Sequence, residues 1–170
     1  MRLLILTISS MLCLATCPAL AAVAGQATTS DRSSLPTTIK SNQMVADNKR
    51  KTAVFSGNVV AKQDDVTIYS DRMTINYGDE GAVEKIEADG NVRIVQENRI
   101  AKSSHAVYDR WQGHITLTGS PKVTQDSDSI SGKIIIYYVD EDKSVVLGDA
   151  DSRVNAVIHP PEKKDDAGSR

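Results

Sequence analysis

Three histidines, His105, His114 and His159, are the side chains of this sequence best suited to proton transfer or metal ligation. They are scattered, and none has a carboxylate or cysteine at the short spacing that metal sites use. Asp64-Asp65 and Asp140-Glu141-Asp142 set carboxylates side by side, as acid–base chemistry requires. Both groups fall where turns are expected, and Asp serves turns through its own side-chain hydrogen bonds. Ser103-Ser104-His105 puts hydroxyls beside an imidazole, but neighbours in a strand point to opposite faces and do not form a nucleophile–base pair. Nucleophile-elbow, phosphate-loop and dinucleotide fingerprints are absent. The expectation is a protein with no catalytic residues, no metal and no cofactor, and not an enzyme.

The N-terminus reads as a targeting segment. Arg2 is followed by an apolar run over 3–14, and Ala19-Leu20-Ala21 fits signal-peptidase cleavage, giving a signal peptide over 1–21. The run is shorter than the ~20 apolar residues of a comfortable membrane span. Thr16 before Cys17 is a poor lipobox residue, so Cys13 and Cys17 read as filler that leaves with the signal. The remaining chain has no cysteine and must hold together by burial and hydrogen bonding. Without Arg2 the formal charge moves from −2 to about −3, and no Lys/Arg block marks a nucleic-acid site.

Residues 22–36 are small, polar and unpatterned, and read as a flexible leader. Residues 159–170 read as a disordered charged tail, opened by Pro160-Pro161, which cannot continue a sheet. Between them, 37–158 forms one all-β domain. Val, Ile, Thr and Tyr alternate with polar residues at period two, as in sheets with one wet and one apolar face.

A longer repeat overlies the alternation. FSGNVVAKQ (55–63), EADGNVRIVQ (87–96) and LTGSPKVTQ (117–125) each place a glutamine six residues after a glycine. A second strand type follows each of them, opened by Ile68, Ile100 and Ile130, with an earlier relative at Ile39; the spacings are 29, 32 and 30 residues. The unit is thus about 30 residues of short strands, stacked so that each buries its apolar face on its neighbours. Within a unit the apolar phase breaks once, near Ser70-Asp71, which predicts a bulge or corner. Gly57, Gly90 and Gly119 suit the same corners and would fold the sheet into two facing layers. The apolar rows then either close as a core between the layers or stay open to an acyl chain, and periodicity is compatible with both.

The signal, the leader, Pro36 through Ile39-Lys40-Ser41-Asn42-Gln43, FSGNVVAKQ and LTGSPKVTQ together resemble the OstA-like, LptA-type domain family of periplasmic lipopolysaccharide transport. The likeness spans about 36–158. It implies a semi-open antiparallel β-jellyroll whose groove shields the acyl chains of lipid A. It also implies head-to-tail self-association, bridging an LptC-like inner-membrane partner to the N-terminal domain of an LptD-like outer-membrane translocon in the periplasm. Carried onto this sequence, the groove lining is Thr37 and Ile39 at the entrance, then Phe55, Val59, Ile68, Met73, Ile75, Ile86, Val92, Ile94, Ile100, Tyr108, Leu117, Val123, Ile136 and Tyr138. The docking edges carry Ile39, Ser41 and Gln43 on the first strand and Val154, Ala156 and Ile158 on the last. Two other readings are an LptC-like membrane-anchored member of the same pathway and a closed β-solenoid serving as a structural or polysaccharide-binding module.

Overall fold

The computed structural model describes residues 36–160. The expected signal peptide, nearly all of the leader and the tail from 161 onward lie outside the described residues. The described chain is antiparallel β throughout, in twelve strands. Four are long: β3 (Thr52–Gln63), β4 (Val66–Tyr77), β5 (Val83–Gln96) and β6 (Arg99–Asp109). Each bends near its middle, so that its two halves join different layers. The short strands belong to one layer each: β1 (Thr38–Lys40), β2 (Gln43–Asp47), β7 (His114–Thr118), β8 (Lys122–Gln125), β9 (Asp128–Ser131), β10 (Ile134–Tyr138), β11 (Lys143–Leu147) and β12 (Asn155–Val157).

The pairings resolve the sheet into two layers that share the long strands. The first runs β2–β3–β4–β5–β6–β7–β10–β11, and the second runs β1–β3–β4–β5–β6–β8–β9–β12. Ladder registers break between them, at Ser56/Val59, Tyr69/Arg72 and Asp89/Val92. The result is a semi-open jellyroll, folded along one line of corners and open opposite it.

Sequence chemistry explains the corner line. Gly57-Asn58, Gly90-Asn91 and Gly119-Ser120 all have positive φ at both residues. A left-handed pair turns the strand sharply, and Gly followed by Asn or Ser enters it at little steric cost. Two residues are consumed, so the side-chain phase survives: Phe55 and Val59 both face inward. The intervening strands use a one-residue shift instead, which leaves Ser70 and Met73 both buried, at 5% and 1% exposure. This is the phase break read near Ser70-Asp71.

Adjacent corners are bonded to one another. The Asn42 N–H donates to the Gly57 carbonyl at 2.9 Å, and the Ser104 N–H donates to the Gly119 carbonyl at 3.1 Å. The Asn91 amide donates to Asp71 at 2.8 Å. The close stacking leaves no room for a side chain on the corner glycine: a Cβ on Gly119 would lie 2.5 Å from Ser104 Cβ.

The expected consequence is a graded response to alanine. Gly81 has φ +77 in an open turn with nothing within 4 Å of a new Cβ, so Gly81→Ala costs only the left-handed strain, about 1–2 kcal/mol. Gly119→Ala adds overpacking at the corner and costs about 2–4 kcal/mol. Urea unfolding of the two variants measures the difference; equal losses would refute the close-packed corner.

Candidate functional site

The space between the layers is built from in-register rows. In the first layer one row runs Phe55–Met73–Ala88–Ala106–Leu117–Ile135–Val146. Farther from the corners lies a second, Ala53–Ile75–Ile86–Tyr108–Ile115–Tyr137. In the second layer, Val59 and Val92 sit beside the corners. The next row is Ile39–Ala61–Ile68–Ile94–Ala101–Val123–Ile130–Ala156. The row nearest the opening is different in kind: Gln63, Val66, Gln96, Arg99, Gln125 and Asp128. The glutamines six residues after each corner glycine are thus the polar lip of the second layer, each just before a two-residue turn.

Burial falls from corner to opening. Val59, Met73 and Val92 are at most 2% exposed, and Ala88, Ala106, Leu117 and Ile135 are buried with them. Ile39, Ile68, Ile86, Ile94, Ile115 and Val123 pack against that core while staying only partly buried. Ile130, at the far end of the second-layer row, is exposed. An aliphatic strip therefore runs from the β1 end toward the β12 end with one side incompletely covered.

Near the β11 end the layers touch across the opening. Arg99, from the second layer, lies 3.7 Å from Asp142 and 5.8 Å from the ring centre of Tyr137, both in the first layer. The Tyr137 hydroxyl donates to Asp142 at 2.9 Å. Burial, and then the hydrogen bond and charge of Asp142, push the Tyr137 phenol above its ordinary value, while Arg99 acts in the opposite direction.

Most of the lining residues named from the sequence reach the interior: Ile39, Phe55, Val59, Ile68, Met73, Ile75, Ile86, Val92, Ile94, Leu117 and Val123 belong to the interior cluster. Tyr108 shares their phase through its pairing with Ile86 and Ile115. Three residues require correction. Ile100 pairs with Val95 and Thr124 and faces outward; its neighbour Ala101 is the inward residue. Ile136 and Tyr138 pair with Thr116 and His114 on the outer face. Tyr138 packs edge-on against His114 there, with ring centres 5.6 Å apart. In the run Ile134-Ile135-Ile136 alternation is invisible, and pairing with Leu117 selects Ile135. Thr37 precedes β1 and is exposed.

The sequence reading also missed the alanines. Ala53, Ala88 and Ala106 are all buried; each lies on the apolar phase but is too small to stand out. Of the edge residues, Ser41 lies in the break between β1 and β2, where its hydroxyl donates to the Gln43 carbonyl at 3.0 Å. Gln43 opens β2, Ala156 lies in β12, and Val154 and Ile158 flank that strand. The free edge of β11 was not foreseen.

Two histidines gain carboxylates that sequence spacing did not reveal. His105 Nδ1 lies 2.5 Å from Asp89 on the outer face of the first layer, and His159 Nδ1 lies 3.2 Å from Asp128. Ser104 bonds the Gly119 carbonyl, at 3.1 Å, not His105. Among the described residues no group of three or more His, Cys, Asp or Glu could hold a metal ion.

Residues 38–143, well over half of the chain, match the family model described as LptA/(LptD N-terminal domain) LPS transport protein. The chain belongs to this lipopolysaccharide-transport family. It is 28% identical over 137 residues to the lipopolysaccharide export system protein LptA of Escherichia coli (strain K12), covering 76% of this chain and 74% of that protein. The LptA of Shigella flexneri aligns with the same figures. The fold is similar to the crystal structure of LptH, the LptA-homologous periplasmic component of the lipopolysaccharide transport device from Pseudomonas aeruginosa. That likeness has a TM-score of 0.68 at 20% identity and covers 76% of this chain and 99% of the other. The two-layer jellyroll is thus a fold that this chain shares with that structure.

Asp128 closes the polar lip and also tethers the chain beyond β12. It accepts the His159 backbone N–H at 2.8 Å, and this bond holds its carboxyl below the usual carboxylate range. A depressed pKa contributes stability that is present above the unfolded value, about 3.9, and lost as pH falls through the folded value. The tether should therefore be intact at neutral pH and released only below about pH 4. Amide exchange at His159, corrected for intrinsic rates, should rise on acidification, whereas Asp128→Asn should abolish that rise. Exchange independent of Asp128 would refute the tether.

Proposed function

We propose that this protein is a periplasmic carrier of lipopolysaccharide that shields the acyl chains of lipid A between its two layers. The observation that supports the reading best is the half-buried row Ile39–Ala61–Ile68–Ile94–Ala101–Val123–Ile130. It is aliphatic, continuous across the strands, and incompletely covered on the side of the opening. Flexible aliphatic side chains suit acyl chains, and alanines interleaved with isoleucines keep the strip low enough to receive them. Nothing in the arrangement supplies energy, so the lipid moves by passive handover.

Handover needs an unbroken row between neighbouring molecules, and the free edges suit that arrangement. β1 and β2 end the layers on one side, and β11 and β12 end them on the other. Exposed apolar residues gather on these edges: Met44 and Val45 at one, and Leu147, Val154, Val157 and Ile158 at the other. Unpaired edges are a template for adding strands. Head-to-tail pairing would extend both layers and align their interior rows, either with a second copy or with partners of like fold. An LptC-like protein at the inner membrane and the N-terminal domain of an LptD-like translocon at the outer membrane are the partners this reading requires. Export through a cleaved signal over 1–21 would place the protein between them.

Ile94→Asp and Tyr108→Asp each put a charge between the layers, one on each. They should lower lipopolysaccharide binding by about tenfold or more while circular dichroism stays that of the β fold. Normal binding by a folded variant would sink the groove assignment.

The edges make a separate prediction. Val45→Lys and Val157→Lys place a charge on each free edge; either should weaken self-association in sedimentation velocity and leave lipid binding by the monomer close to wild type. Unchanged association with both variants would overturn the edge assignment.

A further inference from the structure

The outer faces of the two layers differ in charge. On the first layer, outward carboxylates and cations are interspersed, as in the Lys85–Glu87 contact. On the second, the outward strand positions carry Lys40, Lys62, Arg93, Lys102 and Lys122, hydroxyl residues and a few apolar ones, and no carboxylate. Of its nearby acids, Asp64, Glu97 and Asp126 sit in the turns at the opening, and Asp71 stands at the corner, where it accepts from Asn91. A chain with a formal charge of −2 thus concentrates cations on one sheet face.

Registers bring three of these cations into one line. Arg93 pairs with Lys102, and Lys102 pairs with Lys122, on three neighbouring strands. Adjacent strands are about 4.8 Å apart, and like charges directly opposite destabilise a sheet. Among the described residues, none of these cations is in an ion pair. Arg93 is fixed instead over the ring of Tyr69, at 3.9 Å from its centre. Where the line meets the corners there is a hollow of about 330 Å³, lined by Asn91, Arg93, Lys102, Ser103 and Ser120 among others.

We propose that this face is a docking surface for the phosphates of an anionic lipid bilayer. The cations stand side by side on one sheet face and are spread over neighbouring strands, which suits a plane of headgroups better than a single soluble anion. Protein interfaces depend on buried aromatic and aliphatic anchors and are depleted in lysine. Here lysine dominates, and the large apolar side chains exposed on the protein lie mostly on its edges and turns. A headgroup plane needs charge alone, and each Lys or Arg near it strengthens attraction additively. The hollow beside Arg93 and Lys102 is roomy enough for one phosphate. Docked this way, the second layer lies against the membrane while its inner face is left free, so the proposal does not depend on what occupies the space between the layers.

The test is co-sedimentation of the full chain with phosphatidylcholine vesicles and with vesicles containing 30% phosphatidylglycerol, at low and high salt. Residues 3–14 are common to every variant, so differences between variants report the charged face. The full chain should bind the phosphatidylglycerol vesicles in a salt-sensitive manner. The triple variant Arg93→Gln/Lys102→Gln/Lys122→Gln should lose about tenfold or more of that binding. It relieves repulsion at the exposed Lys102 and Lys122 and gives up the Arg93 contact with Tyr69, so urea unfolding should show stability close to wild type. Lys85→Gln/Lys143→Gln on the first layer, and Ile94→Asp between the layers, should bind the vesicles as wild type does. Equal binding to both vesicle types, or an unaffected triple variant, overturns the proposal. So does salt-sensitive binding to polyglutamate through the same three residues without vesicle binding, which would make the face a site for an acidic protein.

Discussion

A single backbone device governs this molecule: the paired left-handed residues at Gly57-Asn58, Gly90-Asn91 and Gly119-Ser120. A one-residue bulge turns the side chains beyond it to the other face unless the sequence changes phase at the same point. Two left-handed residues bend the strand sharply and keep its phase, so the same side stays inward in both layers. The alternate strands reach the same result by shifting one residue near Ser70 and Ser103. Because the two kinds of corner alternate, they stack, and Asn42, Asp71 and Ser104 press against the glycines of their neighbours.

From this constraint the gradient of burial follows. Next to the corners the layers are held close, and Val59, Met73 and Val92 are sealed between them. Away from the corners they are joined only by side chains, and the inward residues change from aliphatic to glutamine, arginine and aspartate. The one bridge described across the opening, Arg99 to Tyr137 and Asp142, is a contact between partly exposed groups. Pairs of that kind contribute little stability. The layers are therefore held closely along one line and only weakly along the opposite one.

The same sheet leaves two further surfaces unspent. Its free edges gather exposed aliphatic residues at β2, β11 and β12, while the outer face of the second layer gathers unpaired cations. Neither resembles the ordinary mixed surface of the first layer. Strand alternation makes such division of labour straightforward, since inward, outward and edge positions are set independently along one chain.

Much of this was legible in the sequence. Period-two alternation, a repeat of about 30 residues and glycine-led strands specify stacked antiparallel strands with corners, because glycine followed by asparagine is tolerated where few other pairs are. The phase break at Ser70-Asp71 located a corner. What the sequence could not decide was phase where composition is uniform, and partnership where separation is large. Ile134-Ile135-Ile136 has no internal alternation, so only the ladder to Leu117 and Val146 makes Ile135 the inward residue. Ile100 stands beside a turn, where Ala101 was selected by Ile94 across the strand pair. Asp89 and His105 meet because β5 and β6 pair in that register. Local chemistry determined the strands and their corners, whereas the hydrogen-bonded register between strands, a long-range property, decided which side chains share a face.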